Sequence, residues 1–373
     1  MTTGPRVPAG PHRPADRTPA RVPGSIRRTT TVDAWWPAGP DGTLRLAGAG
    51  RDLLTPGDGS AAEPVVLASE AVTAEVDRER RAVLALDAAL PDGALRGLRG
   101  QSLRGAFRLA LSAADLGGGR DPAAANLVYA LLDELPAVSL VSGYHLLRLA
   151  GPDGPTRHVD VGSMAGVCAG WAPGSSMLQA AVADGRAPMI LGPAAPDLSR
   201  VGDRWAWHHL PARRPGTVRR RRRTDLGPAG GDRWAVDAMF RDTYTEPDGS
   251  ETVVHEYAVT AAVDRGRLVA VDADPRVLPA SECPSAAASA GALVGASLVD
   301  LRLRVRRDLR GTGTCTHLND LLRTFADLPD LIAAADRLSG NPSARTGRAG
   351  PDGGRAGPAG PDGDRAATAR RAG

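Results

Sequence analysis

The sequence of 373 residues contains no lysine, so all 46 of its basic side chains are arginines. Aromatic residues make up only 3% of the chain, and cysteine occurs only at Cys168, Cys283 and Cys315. Three widely spaced cysteines are not a disulfide framework, which favours a reducing compartment. The absence of lysine indicates a GC-rich, bacterial coding sequence, because arginine codons are rich in G and C. The hydrophobic fraction of 42% is enough for cores built from Leu, Val and Ala.

Long apolar runs are also absent. A membrane helix needs about 20 consecutive apolar residues, and the N-terminal region lacks the apolar segment of a secretory signal. We therefore expect a cytoplasmic protein that makes no membrane contact. The net charge of +4 is small for this length and does not indicate nucleic-acid binding. Phosphate-binding loops, dinucleotide fingerprints and common hydrolase motifs are missing from the sequence as well.

The chain carries one pattern twice. Residues 23–28 (PGSIRR) recur as residues 215–220 (PGTVRR). Residues 72–78 (VTAEVDR) recur as VTAAVDR from Val259, and DELP at Asp133 recurs as ADLP at Ala326. Matches in the same order and at nearly constant offset predict duplication of a whole domain.

The duplication predicts the domain plan. A first copy spans residues 24–148 and a second spans 216–337, joined by a Gly- and Pro-rich connecting segment at 150–214. This segment is too long for a plain linker and is expected to pack across both copies. Pro- and Arg-rich residues 1–22 and the Gly/Pro/Arg-rich tail at 339–373 are predicted to be disordered.

Each copy is predicted to be α+β, with an antiparallel β-hairpin or sheet followed by helices. Alternating apolar residues predict a hairpin after Val72 in the first copy and after Tyr257 in the second. Helical spacing follows from Leu127 to Leu135. In the second copy an Ala-rich helix is expected at 285–294, and an amphipathic helix is expected to begin near Leu318. Residues 298–309 fit both a strand and a helix.

Both copies contain histidine, but only the second combines it with cysteine. Cys315 and His317 stand at the predicted start of a helix that Thr314 or Thr316 could cap. Backbone N–H groups at such a start favour a thiolate and would lower the pKa of Cys315. His255 begins a strand and Cys283 begins a helix, whereas the first copy has Ala68 in the place of His255.

Two thiolates and two imidazoles form a ligand set for zinc or an iron–sulfur cluster. The sequence therefore predicts a metal site of His255, Cys283, Cys315 and His317. The competing interpretation is a small buried core cysteine beside a hydrogen-bonded histidine. Cys168 is expected to be structural, and the His208-His209 pair to be a packing corner.

Residues 219–223 are five consecutive arginines. One interpretation is binding of phosphate or nucleic acid. We favour a solvated strand edge, or a surface that pairs with acidic residues, because no aromatic residues or RNA-binding motif accompany the run.

The residues singled out in the second copy together resemble the domain of unknown function 2889 family. The resemblance rests on the Arg-Arg start, the hairpin that His255 introduces, Cys283-Pro284, and the segment GTCTHLNDLL from Gly313. It covers about residues 216–335 closely, and 24–148 as a degenerate copy. The family commonly has His-Asp where this chain has His255-Glu256. The resemblance implies an organisation but no reaction.

The order of elements is also similar to that of iron–sulfur cluster assembly scaffolds. His255-Glu256, Cys283 and Cys315-Thr316-His317 would correspond to their three ligand positions. The chain lacks the first cysteine of that set, which favours zinc over cluster assembly.

Three functions follow from the sequence as hypotheses. The first is a metal- or iron–sulfur-binding module on a duplicated scaffold. The second is an enzyme that uses Cys315 as a nucleophile and His317 or His255 as a base. The third is a non-enzymatic interaction protein that presents its arginine run to an anionic partner, with a protein partner favoured over nucleic acid.

Overall fold

The computed structural model describes residues 7–57, 63–116, 121–151, 161–199 and 202–339. The predicted tail at 339–373 lies outside the described residues, apart from Ser339. In the described chain, strands come before helices in both predicted copies. The predicted α+β class is therefore confirmed.

The strands are β1 (Ile26–Trp35), β2 (Leu44–Leu54), β3 (Val65–Val76), β4 (Val83–Ala88), β5 (Val218–Pro228), β6 (Arg233–Thr245), β7 (Glu251–Asp264) and β8 (Arg267–Val277). The α-helices are α1 (Asp92–Leu98), α2 (Ala106–Ala113), α3 (Pro122–Val141), α4 (Gly143–Ala150), α5 (Val161–Met164), α6 (Ser176–Asp184), α7 (Leu301–Asp308), α8 (Thr316–Arg323) and α9 (Leu328–Ser339). Short 3₁₀ helices lie at Ala169–Trp171, Cys283–Leu293, Leu298–Asp300, Gly311–Gly313 and Thr324–Asp327.

All eight strands form one antiparallel sheet in the order β4-β3-β2-β1-β5-β6-β7-β8. The first four strands run outward from β1 and the last four run outward from β5. The two predicted copies thus occupy the two halves of a single sheet, and β1 and β5 pair at its centre. This matched strand order agrees with the duplication, which remains a prediction.

Helix α3 packs against β1, β2 and β3 on one face of the sheet. Asp121 caps the helix by accepting hydrogen bonds from the backbone N–H groups of Ala123 and Ala124, and Pro122 fits the first turn. Leu127 and Leu131 are fully buried, and burial of each such side chain contributes about 1.5–3 kcal/mol. The hydrophobic residues between the sheet and the helices form two main clusters, one in each half.

One described helical stretch, Pro122–Ala150, is long and apolar enough to cross a membrane. It comprises α3 and α4, and 67% of its most apolar window is buried inside the protein. Packing against the sheet therefore accounts for its hydrophobicity. The cytoplasmic location remains a prediction.

The arginine run lies at the centre of the sheet, in β5, and none of its five residues is more than 5% exposed. The predicted solvated edge or surface is therefore wrong, although the predicted pairing with acidic residues is correct. Arg219 donates hydrogen bonds of 2.6 and 2.7 Å to Asp33, and Arg223 donates one of 2.6 Å to Asp237. Buried arginines cannot be presented to an anionic partner, which removes the basis of the third hypothesis.

An ionic layer separates the central strands from the helices. It contains six arginines and six carboxylates, all linked by ion pairs: Arg28, Arg108, Arg220, Arg222, Arg302, Arg323, Asp52, Asp133, Glu134, Asp242, Asp320 and Asp327. The formal charges balance, as burial of so many ions requires. The layer takes residues from both halves of the chain, so it ties the halves together.

The other face of the central strands is covered by two irregular segments. Residues 7–22 were expected to be disordered, but they form an extended segment held by hydrogen bonds. The backbone N–H of Ala15 donates to Glu256 at 2.7 Å, and Arg21 pairs with Asp203 at 3.0 Å. These partners satisfy the polar groups that would otherwise favour solvation of the segment.

The connecting segment contacts both halves of the sheet, as expected. His208 lies against Thr29 and Thr31 of β1 in the first half. Ala194 forms a β-bridge with Thr252 of β7 in the second half. The predicted packing corner at His208 is therefore present, and burial lowers the pKa of His208 to about 3.

The structure also shows the conformation of the second-half region that fitted both strand and helix, and of the two regions predicted to be helical. Residues 298–309 are helical, because Leu298, Leu301 and Val305 are buried on one side. The predicted Ala-rich helix is a 3₁₀ helix, Cys283–Leu293. The helix predicted near Leu318 is α8, which continues through a 3₁₀ turn into α9.

Candidate metal centre

Three side chains of the second half converge where β6, β7 and the start of α8 meet. Asp242 on β6 and His255 on β7 are direct cross-strand partners, so their side chains share a face of the sheet. His317 lies in the first turn of α8, which buried Leu318 and Leu321 hold in the core. One ligand atom from each of Asp242, His255 and His317 lies within 4.8 Å of the other two.

The two imidazoles face each other. Their ring centroids are 3.9 Å apart, with 23° between the ring planes. Nδ1 of His255 is 3.5 Å from Oδ2 of Asp242. This nitrogen is buried and makes no hydrogen bond to a described residue. A buried donor or acceptor without a partner costs about 1–3 kcal/mol, so the position favours an additional partner.

Asp242 is fixed by Arg220. The guanidinium donates two hydrogen bonds to the carboxylate, of 2.6 Å to Oδ1 and 2.8 Å to Oδ2. Burial alone would raise the pKa of Asp242, but the charge and hydrogen bonds of Arg220 hold it well below its ordinary value. The carboxylate is therefore ionised at neutral pH and fixed in orientation.

His317 is uncharged at neutral pH. Burial, and then the neighbouring His255, lower the pKa of His317 to about 3. A neutral imidazole offers a nitrogen lone pair, which is the form that binds a metal ion. The rings of Phe240 and His317 are stacked with centroids 6.4 Å apart, which supports the orientation of His317.

Cys315 is the N-terminal cap residue of α8, but its environment differs from the expected one. Neither predicted cap residue acts as one: Thr316 is already helical, and the Thr314 hydroxyl donates to the carbonyl of Gly311 at 3.0 Å. Burial raises the pKa of Cys315 to about 11, which outweighs the lowering by the N–H groups of Leu318 and His317. The predicted lowered pKa is therefore wrong.

The four predicted ligands do not form one group. His255 and His317 lie together, and Sγ of Cys315 is 3.9 Å from Nδ1 of His317. Cys283 lies outside the group of Asp242, His255 and His317, and burial raises the pKa of Cys283 to about 12. The structure thus brings the two histidines to Asp242, with Cys315 beside His317, and places Cys283 elsewhere.

The first half has the same ionic clamp without the histidines. Arg28 donates hydrogen bonds of 2.7 and 2.6 Å to Asp52, as Arg220 does to Asp242. The cross-strand partner of Asp52 is Ala68, where Asp242 faces His255. Ala68 packs with Ala123 and Leu127 from the start of α3. The equivalent place in the first half is therefore apolar.

The residue that the sequence prediction missed is Asp242. Its relation to His255 depends on the register of β6 and β7, which are joined by a turn but carry no motif there. The available signal was the similar spacing from an Arg-Arg pair to a later Asp: 24 residues from Arg28 to Asp52, and 22 residues from Arg220 to Asp242.

Comparison with known proteins identifies part of the chain. Residues 218–329 match the family described as protein of unknown function (DUF2889). Searches of curated proteins and of solved structures found no significant match. The expected resemblance is thus confirmed for the second half, while those of the first half and of the iron–sulfur scaffolds remain predictions. The segment similar to DUF2889 contains Arg220, Asp242, His255, Cys315 and His317.

Proposed function

We propose that this protein binds a divalent transition metal ion, with zinc as the reference ion, between Asp242, His255 and His317. The observation that carries the proposal is the convergence of one carboxylate oxygen and two imidazole nitrogens within 4.8 Å. Carboxylate and imidazole are ordinary ligands of zinc, with metal–ligand distances of about 2.0–2.2 Å. Small side-chain rotations would bring the three atoms to a common ion.

The surroundings support a bound cation. Asp242 is ionised and oriented by Arg220, and a carboxylate that accepts two hydrogen bonds keeps further lone pairs for a metal. His255 has a buried nitrogen without a hydrogen bond to the described chain. A divalent ion would satisfy that nitrogen and offset the negative charge of Asp242.

Cys315 is proposed as a positioning residue for His317. Its sulfur lies 3.9 Å from Nδ1 of His317. Metal-binding histidines commonly donate their second ring N–H to a partner that fixes the ring. With Nδ1–H directed at the sulfur, Nε2 of His317 would be the metal ligand.

The proposal revises the four-residue ligand set: it adds Asp242, makes Cys315 a positioning residue and leaves out Cys283. Three protein ligands leave a coordination position for water, as in catalytic zinc sites. Burial of Cys315 counts against its use as a free nucleophile, because the protonated thiol is a poor one.

The test is zinc titration of the full chain, purified without a histidine tag, followed by calorimetry and metal analysis. His255→Ala and His317→Ala should each remove one equivalent of tightly bound zinc. Loss of a direct ligand should weaken binding at least as much as loss of an outer-shell partner, which is about 10–100-fold. Both substitutions are sterically mild, since Ala68 and Ala123 occupy the equivalent region of the first half.

His209→Ala is the matched control, because His209 is exposed on the connecting segment. It should bind zinc like the wild type. If His255→Ala retains the stoichiometry and affinity of the wild type, the proposal is wrong.

A further inference from the structure

We infer that the buried ion pair of Arg241 and Glu256, which the N-terminal segment completes at Ala15, positions two of the three ligands of the metal centre. This inference rests on the proposed function, since it concerns the same ligands. Arg241 directly precedes Asp242 in β6, and Glu256 directly follows His255 in β7. Arg241 and Glu256 are cross-strand partners, as Asp242 and His255 are.

The ion pair and the ligand pair lie on opposite faces of the same two strands. Successive side chains of a strand point to opposite faces of the sheet, so Asp242 and His255 face the helices while Arg241 and Glu256 face the irregular segments. Arg241 and Glu256 are fully buried, and Nε of Arg241 donates a hydrogen bond of 2.5 Å to Oε2 of Glu256. A shift of this pair along the strands would move both ligands, because each ligand is the chain neighbour of one member.

The strand ladder is irregular beside the ligands. β6 and β7 change register between Asp242 and Thr243, so Val254 has no partner in β6. β7 and β8 change register between Glu256 and Tyr257. Such β-bulges bend a strand and interrupt its ladder, and they are frequent beside functional sites. The ion pair therefore fixes a register that the interrupted ladder holds less firmly.

The N-terminal segment, residues 7–22, completes the ion pair. The backbone N–H of Ala15 donates to Oε1 of Glu256 at 2.7 Å, and the carbonyl oxygen of Ala15 accepts a hydrogen bond of 2.5 Å from Nη2 of Arg241. Nη1 of Arg241 donates to the carbonyl oxygen of Pro196 at 2.8 Å. A buried ion pair is stable only when its remaining donors and acceptors are also bonded. Ala15 thus holds both members of the pair.

The first half has the bulge without the ion pair. β2 and β3 change register directly after Asp52, which faces Ala68. The next cross-strand pair is Arg51 and Ser69, which includes no carboxylate. Arg51 donates instead to the carbonyl oxygen of Trp205 at 2.7 Å. The ion pair therefore accompanies the histidines of the second half and has no equivalent beside Ala68.

The test compares two alanine-to-proline variants of the untagged full chain. Ala15→Pro removes the N–H that bonds to Glu256, and it leaves both side chains of the ion pair in place. Ala20→Pro is the matched control. Ala20 is exposed and also follows a proline, and its N–H donates to no described residue. Thermal unfolding without metal verifies that each variant is folded.

Ala15→Pro should weaken zinc binding in calorimetry about tenfold or more, the lower bound for loss of a partner outside the ligand set. Ala20→Pro should bind zinc like the wild type. The same proteins loaded with Co²⁺ supply a readout that a change of stability alone does not move. Their visible absorption bands report the ligand geometry, and the bands should shift in Ala15→Pro but not in Ala20→Pro.

Trypsin digestion of the wild type is a second measurement, which needs no variant. Arg17 lies in the N-terminal segment, and its side chain is 77% exposed. Coupling between two sites is reciprocal, so zinc should stabilise the docked segment and slow cleavage after Arg17. Cleavage after Arg80, which is exposed between β3 and β4 of the first half, is the control and should not slow.

The outcomes separate this inference from the proposed function. Zinc affinity and Co²⁺ bands that are the same in Ala15→Pro as in the wild type would overturn the inference and leave the proposed function standing, even if the variant is less stable. If Ala15→Pro does not fold, the digestion decides, and equal cleavage after Arg17 with and without zinc overturns the inference. If His255→Ala binds zinc like the wild type, the proposed function is wrong and the inference falls with it.

Discussion

Substitution of Arg220 by Met should destabilise the protein strongly. Arg220 is 1% exposed and donates hydrogen bonds of 2.6 and 2.8 Å to Asp242, which is itself fully buried. The substitution would leave the Asp242 carboxylate in the core without its cation. Removal of one partner of a buried ion pair costs about 3–5 kcal/mol.

A double variant distinguishes this cause from a packing defect. Arg220→Met combined with Asp242→Leu replaces both ions by apolar side chains, which is often neutral or stabilising. The double variant should therefore recover most of the stability that Arg220→Met loses. Asp320, which also lies 3.6 Å from Arg220, stays paired with Arg108 at 2.8 Å in either variant.

The loss should depend on pH with a defined sign. Arg220 holds the folded-state pKa of Asp242 well below its ordinary value, so the stabilisation is complete above the unfolded-state pKa of about 3.9 and is lost as pH falls through the folded-state pKa. The stability gap between the wild type and Arg220→Met should be full at neutral pH and shrink below about pH 4.

Urea denaturation at pH 7 and near pH 3 measures all three chains. Arg28→Met is the matched control in the first half, where the same clamp holds Asp52, and it should lose a similar amount. The reasoning is refuted if Arg220→Met costs less than about 1 kcal/mol, or if the double variant is as unstable as the single one.

Four further substitutions test the packing. His208→Asn should reduce the dependence of stability on pH below about 6.5, because burial lowers the pKa of His208 to about 3 and the folded state resists its protonation. Urea titrations across that pH range measure the effect. If the free energy of unfolding changes with pH as steeply in the variant as in the wild type, this prediction is wrong. Gly192→Ala should destabilise the protein, since the added Cβ would lie 1.7 Å from the carbonyl oxygen of Val253. Gly97→Ala should stabilise it by about 0.5–1 kcal/mol, because Gly97 lies in α1 with open space around its Cα. Thermal unfolding of both variants tests the contrast, and equal shifts in the melting temperature would contradict it. Cys315→Ala should cost about 1–2 kcal/mol of stability in metal-free protein, and a much larger loss in chemical denaturation would show a core role beyond that expected.

The elements with regular hydrophobic spacing were predictable. Val72, Ala74 and Val76 alternate and form β3, and the leucines from Leu127 at helical spacing form α3. Helix α8 was also predicted from spacing. In β3 and α8 one face is buried against the core, so the periodicity is visible in the sequence, whereas burial extends around α3 from Ala130 to Ser139.

The central strands were not predictable in the same way. β1 and β5 are buried on both faces. Their buried side chains are largely Thr, and Arg and Asp in ion pairs. A strand of this composition looks solvent-exposed as long as the ion-pair partners of its charged residues are unknown. The partners lie far away in sequence, as Arg219 and Asp33 do, so only the strand register brings them together.

The candidate site was predictable in part for the same reason. His255, Cys315 and His317 stood out because histidine and cysteine are rare in the chain. Asp242 did not, since aspartate is common and its role follows from the cross-strand pairing with His255. The pKa of Cys315 depended on burial, which outweighs the helix start.

The most direct measurement is the anomalous difference density of a zinc-soaked crystal, recorded at the zinc absorption edge. The account predicts a peak between Asp242, His255 and His317, about 2.0–2.2 Å from both imidazole nitrogens and one carboxylate oxygen. Crystals that show no peak there, including crystals with zinc bound only elsewhere on the protein, would contradict the proposed metal centre.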